Sequence, residues 1–515
     1  MFSKSQQQIF LAKAQALTPE LKHWIVPADA LVIPVRDMDV WQDYRMEKSC
    51  LKEFLANNEF ASGTSFIVSL PETSVGQLAF SIYSPNGYAD SPSRLRITLG
   101  ELPQEVISVD KPYNGTLNGS WLQTEIINID DLPCQVILPR RYSCRYIRFD
   151  MIGVPQTVRF SDIRLIACGA EDTLPEPPAN LPEELREIDR VSVRTLRNCM
   201  QSCFEDGPKR DRRLWLGDLR LQAMANKVTY RRFDIIARSL YLLAGCLLPD
   251  GEVCGCVMEH PRPRCGCHTH DYTMLFGVVL EEHCRWSGDM AIGEELFDLA
   301  LHQMKLMERF FKNGLFIAVN DPNKEWFFVD HDDGLDRQAA MQGHAIYGYR
   351  SLAKLAGMLG KKNECHALSA KVDELVTVAR KKFYNTGTAV IESGAEKQVS
   401  FASQIWMILS GVLTPEEGRR ALMAVEKTPD ARRPSSPYMF HYLLEAWQKC
   451  QDHEHMIGLL QDYYGGMIKH GADTFWEIYR PEEPFFSPYK DVRMNSACHA
   501  WSSTASYFLR KGYLQ

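Results

Sequence analysis

Gly169-Ala-Glu-Asp-Thr-Leu-Pro-Glu-Pro-Pro-Ala-Asn-Leu-Pro182 is the stretch on which the reading of this chain turns. Proline offers no backbone donor and holds φ near one value, so a segment this rich in it sustains neither a helix nor a central strand and reads as a linker. The pattern differs on its two sides. From about Leu31 to Cys168, short β-type runs alternate with turn residues, among them Ser65–Leu70, Gln77–Tyr83, Leu95–Leu99, Tyr146–Met151 and a last run from Val158. This predicts an antiparallel β-sandwich. After the linker, apolar residues recur at i, i+3 and i+4, the helical period. Helices are predicted over 183–204, 226–246, 270–287, 291–314, 336–358, 363–383, 398–411, 415–426, 437–449, 452–469 and 496–510. The expected division is a leader over 1–20, a β-sandwich domain over 21–168, the linker over 169–185 and an all-helical domain over 186–515. About a dozen helices in sequential hairpins fit a closed toroid of inner and outer helices. A globin-like stack or a solenoid stays open on pattern alone, although no fixed-period repeat favours the solenoid.

Length and charge narrow the function classes. A chain of 515 residues can bury two substantial cores. With 58 Lys and Arg against 65 Asp and Glu, the net charge is −7 and no basic footprint points to nucleic acid. The apolar stretch near the N-terminus is interrupted by Lys13 and Glu20, unlike a secretory leader. No run reaches the roughly 20 apolar residues of a membrane-spanning helix. Fifteen cysteines, an odd number without an export signal, point to free thiols in a reducing, cytoplasmic setting. The triplets at Asn114 and Asn118 match glycosylation sequons but read as turns. A symmetric homodimer is the default expectation for an oligomer.

Three stretches carry the chemistry. Residues 205–220, Glu-Asp-Gly-Pro-Lys-Arg-Asp-Arg-Arg-Leu-Trp-Leu-Gly-Asp-Leu-Arg, concentrate carboxylates and arginines around Gly207, Pro208 and Gly217, which suit an ordered loop. The plain alternative is a solvated charged loop. In Gly471-Ala-Asp-Thr-Phe-Trp-Glu-Ile-Tyr479, Glu477 follows Trp476 in apolar company, a setting that desolvates a carboxylate and tunes its acidity. The third, Asn495-Ser-Ala-Cys-His-Ala-Trp501, is expected to open the last helix with His499. Two carboxylates on separate loops are what glycosidic cleavage requires, one protonating the leaving oxygen and one activating water.

Together these stretches resemble the bacterial α-L-rhamnosidases of glycoside hydrolase family 78. The family's acid loop, Asp-Cys/Gly-Pro-x-Arg-x-Arg-x-x-Trp-x-Gly-Asp, is similar in register to Asp206 through Asp218. Its Gly-Ala-x-Thr-x-Trp-Glu motif is similar to Gly471–Glu477, and its Cys-His-x-Trp-Ser segment to Cys498–Ser502. The resemblance implies an (α/α)6 barrel behind the sandwich, in a compact two-domain form that lacks the C-terminal β domain of longer members. It implies an inverting hydrolase that releases terminal α-L-rhamnose from small rhamnosides, with Asp211 as general acid and Glu477 as general base. Asp206, Arg210, Trp215, Asp218, Trp476 and His499 would hold the rhamnose, and on weaker local matches so would Asp271 and Asp330.

Two departures stand out. The acid position normally carries Glu, whereas Asp211 is one methylene shorter. His331 and the segment His268-Thr-His270 stand where relatives often carry tryptophan. The resemblance implies no metal and no cofactor, yet Cys254, Cys256, Cys265, Cys267, His268 and His270 have ligand types and spacing that zinc uses. Free thiols on a loop near the pocket are the expected state. Two other functions fit the same sequence, namely a hydrolase or lyase for another sugar such as an unsaturated uronide, and a sugar-binding protein without turnover.

Overall fold

In the computed structural model, which describes residues 2–87, 90–317 and 325–513, the β-type runs before the linker become an antiparallel sheet domain. Its strands are β1 (Lys22–Pro27), β2 (Ala30–Arg36), β3 (Tyr44–Cys50), β4 (Ser65–Tyr83), β5 (Ser93–Gly100), β6 (Thr124–Ile129), β7 (Cys134–Ile137), β8 (Tyr142–Gly153) and β9 (Arg159–Gly169). They pair in the order β1-β9-β4-β8-β5-β6, with β2 and β7 also joined to β4 and β3 paired to β2. Phe66, Phe80, Phe149 and Phe160 fill a core private to this domain.

The two runs expected at 65–70 and 77–83 are one long strand, β4, whose pairing with β8 shifts register between Ser69 and Ser74. Pro71 explains the shift, since it has no N–H to give the ladder. The irregular turn is also a docking point. Thr73 donates its N–H and hydroxyl to Asp473 at 2.6 and 2.7 Å, and Glu72 binds Arg194 and Arg197 at 2.8 and 2.7 Å.

Beyond the linker the chain is helical, with helices Glu183–Cys199, Leu216–Val228, Phe233–Gly245, His270–Ser287, Met290–Met307, Gln338–Met358, Lys362–Phe383, Phe401–Leu409, Pro415–Lys427, Pro437–Lys449, the continuous segment 453–469, and Ala505–Tyr513. Caps set several starts. Asp289 accepts the N–H groups of Ala291 and Ile292, and Thr414 and Glu417 form a reciprocal capping box behind Pro415. Alternate helices pack side by side: Leu216–Val228 on His270–Ser287, that helix on Gln338–Met358, then Phe401–Leu409 and Pro437–Lys449. The short turn Ala500–Ser502 touches Pro437–Lys449 and Leu216–Val228, which closes the ring.

Three boundaries depart from expectation. The helix expected over 226–246 is two helices, the first of which starts at Leu216 inside the charged stretch. Asp218 sits in its first turn, where a carboxylate suits the positive end of the helix. The helix expected over 291–314 stops at Met307, and Asn313-Gly314, both at positive φ, turn a small hairpin instead. The last helix starts at Ala505 rather than 496, because the backbone before it pairs elsewhere: His499 and Ala500 give their N–H groups to the Phe475 and Asp206 carbonyls at 2.9 and 2.7 Å. Within the expected leader, Lys4–Ala16 is a helix that packs on Phe233–Gly245 and buries Phe10 and Ala14 in the helical domain's core.

Candidate active site

The acid loop is wound around its own first carboxylate. Asp206 Oδ1 accepts the N–H of Arg213 at 3.0 Å and Oδ2 that of Asp211 at 3.3 Å. Gly207 is required here, since a Cβ would stand 2.5 Å from the Arg210 carbonyl oxygen. The next two side chains leave in opposite directions. Lys209 is buried in the β domain's surface, where it donates to Glu105 at 2.9 Å and to the Arg493 and Asn495 carbonyls at 3.2 and 2.5 Å. Arg210 turns into the helical domain, and its Nε donates to the Met494 carbonyl at 3.1 Å.

The Arg210 guanidinium stands between two carboxylates. Nη2 donates to both oxygens of Glu477 at 2.8 and 2.7 Å, and Nη1 donates to Asp211 at 3.1 Å. Glu477 also accepts the Tyr489 hydroxyl at 2.6 Å and the Ser496 N–H at 2.9 Å. Burial alone would raise its pKa, but the Arg210 charge, with the Ser496 and Tyr489 hydrogen bonds, pulls it down to about 2. Glu477 is therefore a carboxylate at neutral pH. The side chain of Asp211 is 15% exposed against 3% for Glu477, and Arg213 lies 3.5 Å from its outer oxygen. Behind it, burial and then the Asp211 charge push Asp206 up to about 8.

Both carboxyl groups open onto a cavity of about 330 Å³, within the range of small-molecule sites. Its inner end holds two buried atoms without partners, Asp218 Oδ1 and His499 Nδ1, 3.5 Å apart. Burial, and then the nearby Asp206 and Glu477 charges, drive Asp218 well above the usual carboxylate range; burial lowers His499 to about 3. Two polar groups with capacity to spare in a closed pocket suit the hydroxyls of a sugar. The walls are aromatic and include Trp215, Tyr272, Trp326, Phe328 and Trp501. The rim comes from the β domain, where Leu117, Asn118 and Trp121 reach over the opening.

Known proteins share this arrangement of domains. Residues 28–167 match the glycosyl hydrolase family 78 α-rhamnosidase N-terminal domain, and residues 182–512 match the bacterial α-L-rhamnosidase six-hairpin glycosidase domain. The chain belongs to glycosyl hydrolase family 78. A solved rhamnosidase from Klebsiella oxytoca with rhamnose bound is 37% identical, each chain covers 98% of the other, and the TM-score is 0.94. The family 78 rhamnosidase of Bacillus sp. GL1 is 18% identical with a TM-score of 0.76, and the present chain covers 50% of its length. An α-L-rhamnosidase from Streptomyces avermitilis complexed with L-rhamnose is 12% identical with a TM-score of 0.66 and is covered over 44% of its length. These two share the fold. No curated protein matches the sequence.

Of the residues expected to form this family 78 site, Asp206, Arg210, Asp211, Trp215, Asp218, Glu477 and His499 all line the cavity. Asp271, Asp330 and Trp476 do not. Asp271 accepts the N–H groups of Phe328 and Val329 at 3.1 and 2.9 Å, together with the Thr269 hydroxyl. Asp330 accepts the Ser435 N–H at 2.7 Å and the Ser436 hydroxyl at 2.6 Å. Both carboxylates hold loops from behind, with their oxygens already engaged. Trp476 packs 5.1 Å from Trp41 of the β domain, on the far side of Glu477. His331 does line the cavity, neutral at about 4 through burial. Tyr489, Trp326 and the Leu117–Trp121 rim were not singled out from sequence, because an aromatic residue in a loop carries no local sign of the pocket it will face.

The cysteine-rich stretch forms a ribbon, Cys256–Met258 against Arg264–Cys265, beside the pocket. Cys254 lies beside Cys265, and Cys256 beside Cys267.

Proposed function

We propose that this chain is an inverting α-L-rhamnosidase on an (α/α)6 barrel, in which Asp211 protonates the leaving oxygen and Glu477 activates water. Family membership already makes it a glycoside hydrolase acting on rhamnosides. The observation that carries the finer reading is the single guanidinium of Arg210 bonded to Asp211 at one end and Glu477 at the other. It keeps Glu477 ionised and stands between the two carboxyl groups; an inverting pair is usually roughly 6.5–9.5 Å apart so that a water can enter.

The acid must hold a proton at neutral pH. Asp206, raised to about 8, holds one beside Asp211, which is the more exposed of the two. When Asp211 gives a proton to the glycosidic oxygen, Arg210 and Arg213 stabilise the carboxylate that remains. Glu477 accepts the proton of the attacking water. Asp218 and His499 bind sugar hydroxyls, and the aromatic walls suit the deoxy carbon of rhamnose.

A pocket roofed by the β domain suits a terminal sugar on a small glycoside. The ring of alternate helices supports the barrel, and β4, paired with β2 and β8 at one end and with β7 and β9 at the other, is the strand we assign to both layers of a sandwich. All fifteen cysteines are free, which fits a reducing cytoplasm. A panel of aryl glycosides tests the substrate. Turnover of the α-L-rhamnoside is expected; turnover of an unsaturated uronide alone, or rhamnose binding without hydrolysis, would favour the other readings.

A further inference from the structure

Behind the pocket wall, three potential ligand atoms meet that glycoside hydrolysis does not use. His268 Nε2 lies 3.0 Å from His270 Nδ1, His270 Nδ1 lies 2.9 Å from Glu252 Oε1, and His268 Nε2 lies 3.2 Å from that same oxygen. Ligands of a tetrahedral zinc with bonds near 2.0–2.1 Å stand roughly 3.3 Å apart, so this triangle is a cation's coordination face closed by a few tenths of an ångström. Without a cation, either two ring N–H groups oppose each other at 3.0 Å or one N–H serves two acceptors and leaves one of the three contacts lone pair against lone pair. One cation satisfies all three atoms.

The surroundings of two of the three ligands match, while Nδ1 of His268 is buried without a partner. A ligating histidine commonly gives its other ring nitrogen to a carboxylate, and His270 Nε2 bonds Glu325. Ligating carboxylates are themselves held, and the second oxygen of Glu252 accepts Arg309 at 2.9 Å while Thr273 donates to the first at 3.2 Å. Arg309 also comes within 3.4 Å of His270 Nδ1, a weak contact that a bound cation would replace. Glu252 and His270 are buried, and the side chain of His268 is 23% exposed, which leaves an entry route.

We propose that Glu252, His268 and His270 bind one divalent transition-metal ion, zinc being the best fit to two imidazoles and one carboxylate. The ion is a clamp rather than a catalyst. It ties the loop after helix Phe233–Gly245 to the start of helix His270–Ser287, whose first residue donates its N–H to the Trp326 carbonyl at 3.0 Å. Trp326 and Thr269 line the cavity, so metal removal loosens one wall of the sugar site and raises KM more than it lowers kcat.

Metal analysis of the full chain purified without chelator tests this independently of any rhamnosidase activity. About one zinc per chain is expected, or uptake of about one equivalent when chelator-treated protein is titrated with zinc chloride. His268→Ala, at the partly exposed ligand, should abolish uptake, and the double variant Cys265→Ser, Cys267→Ser should retain it. Cobalt substitution supplies a second readout, since a site of two imidazoles and a carboxylate gives visible ligand-field bands without intense thiolate charge transfer. No uptake by the wild type, uptake unchanged in His268→Ala, loss in the cysteine variant, or a thiolate band would each overturn the assignment.

Discussion

Glu477 accepts four hydrogen bonds, two from Arg210 and one each from Tyr489 and Ser496, and these hold it as a carboxylate at the cavity. Glu477→Gln keeps the size but loses the charge and the proton acceptor, so kcat on every rhamnoside should fall about 10²–10⁴-fold. Asp211→Asn should behave differently. An aryl leaving group needs little protonation, so steady-state rates on aryl rhamnosides should suffer least and those on disaccharides most; equal losses would remove Asp211 from the acid role. Asp206, raised to about 8, predicts the alkaline limb. Below that pH Asp206 keeps its proton; above it the proton leaves, so kcat/KM should fall above about pH 8, and Asp206→Asn should displace that limb in the pH profile. That Asp206, Arg210, Asp211 and Glu477 share one cavity was legible in sequence because they lie in short contiguous motifs similar to the family's. Asp271 and Asp330 were legible as important but not in position, since a buried Asp that holds a loop and one that faces a ligand look alike until the loop is in place.

At the scale of elements, the acid loop is pinned from outside its own domain. Lys209 lies 2.9 Å from Glu105 and 3.6 Å from Glu101, all three buried, and burial pushes Glu101 up to about 7. Removing one partner of a buried pair leaves an uncompensated charge, so Lys209→Met should cost about 3–5 kcal/mol in urea denaturation and loosen the loop that carries Asp211. The rim helix-turn Gly119–Trp121, started by Asn118, contributes to the pocket from the β domain. Trp121→Ala should raise KM on rhamnosides with a smaller effect on kcat, measured by initial rates. The types of element were legible from hydrophobic period, and their ends much less so. Helix Leu216–Val228 begins within a run of charges where no apolar stripe announces it, and the C-terminal helix is delayed because the backbone before it pairs with carbonyls of distant loops.

At the scale of the molecule, two separate hydrophobic cores are joined by buried polar contacts: Lys209 with Glu105, Arg141 with Glu205 at 2.7 Å, Arg493 with the Ser108 carbonyl at 2.9 Å, and Thr73 with Asp473. Separating the domains would expose or strand these groups, so circular dichroism and tryptophan fluorescence should report one coincident unfolding transition. Two separated transitions would show that the domains hold their stability independently. The same interface completes the active site, because the loop that roofs the pocket and the lysine anchor of the acid loop both cross it. The proposed mechanism has Asp211 and Glu477 work from opposite sides of one anomeric carbon. Proton NMR of an α-L-rhamnoside during early hydrolysis tests it most directly: β-rhamnose should form first and mutarotate later, and α-rhamnose as the first product would contradict the assignment.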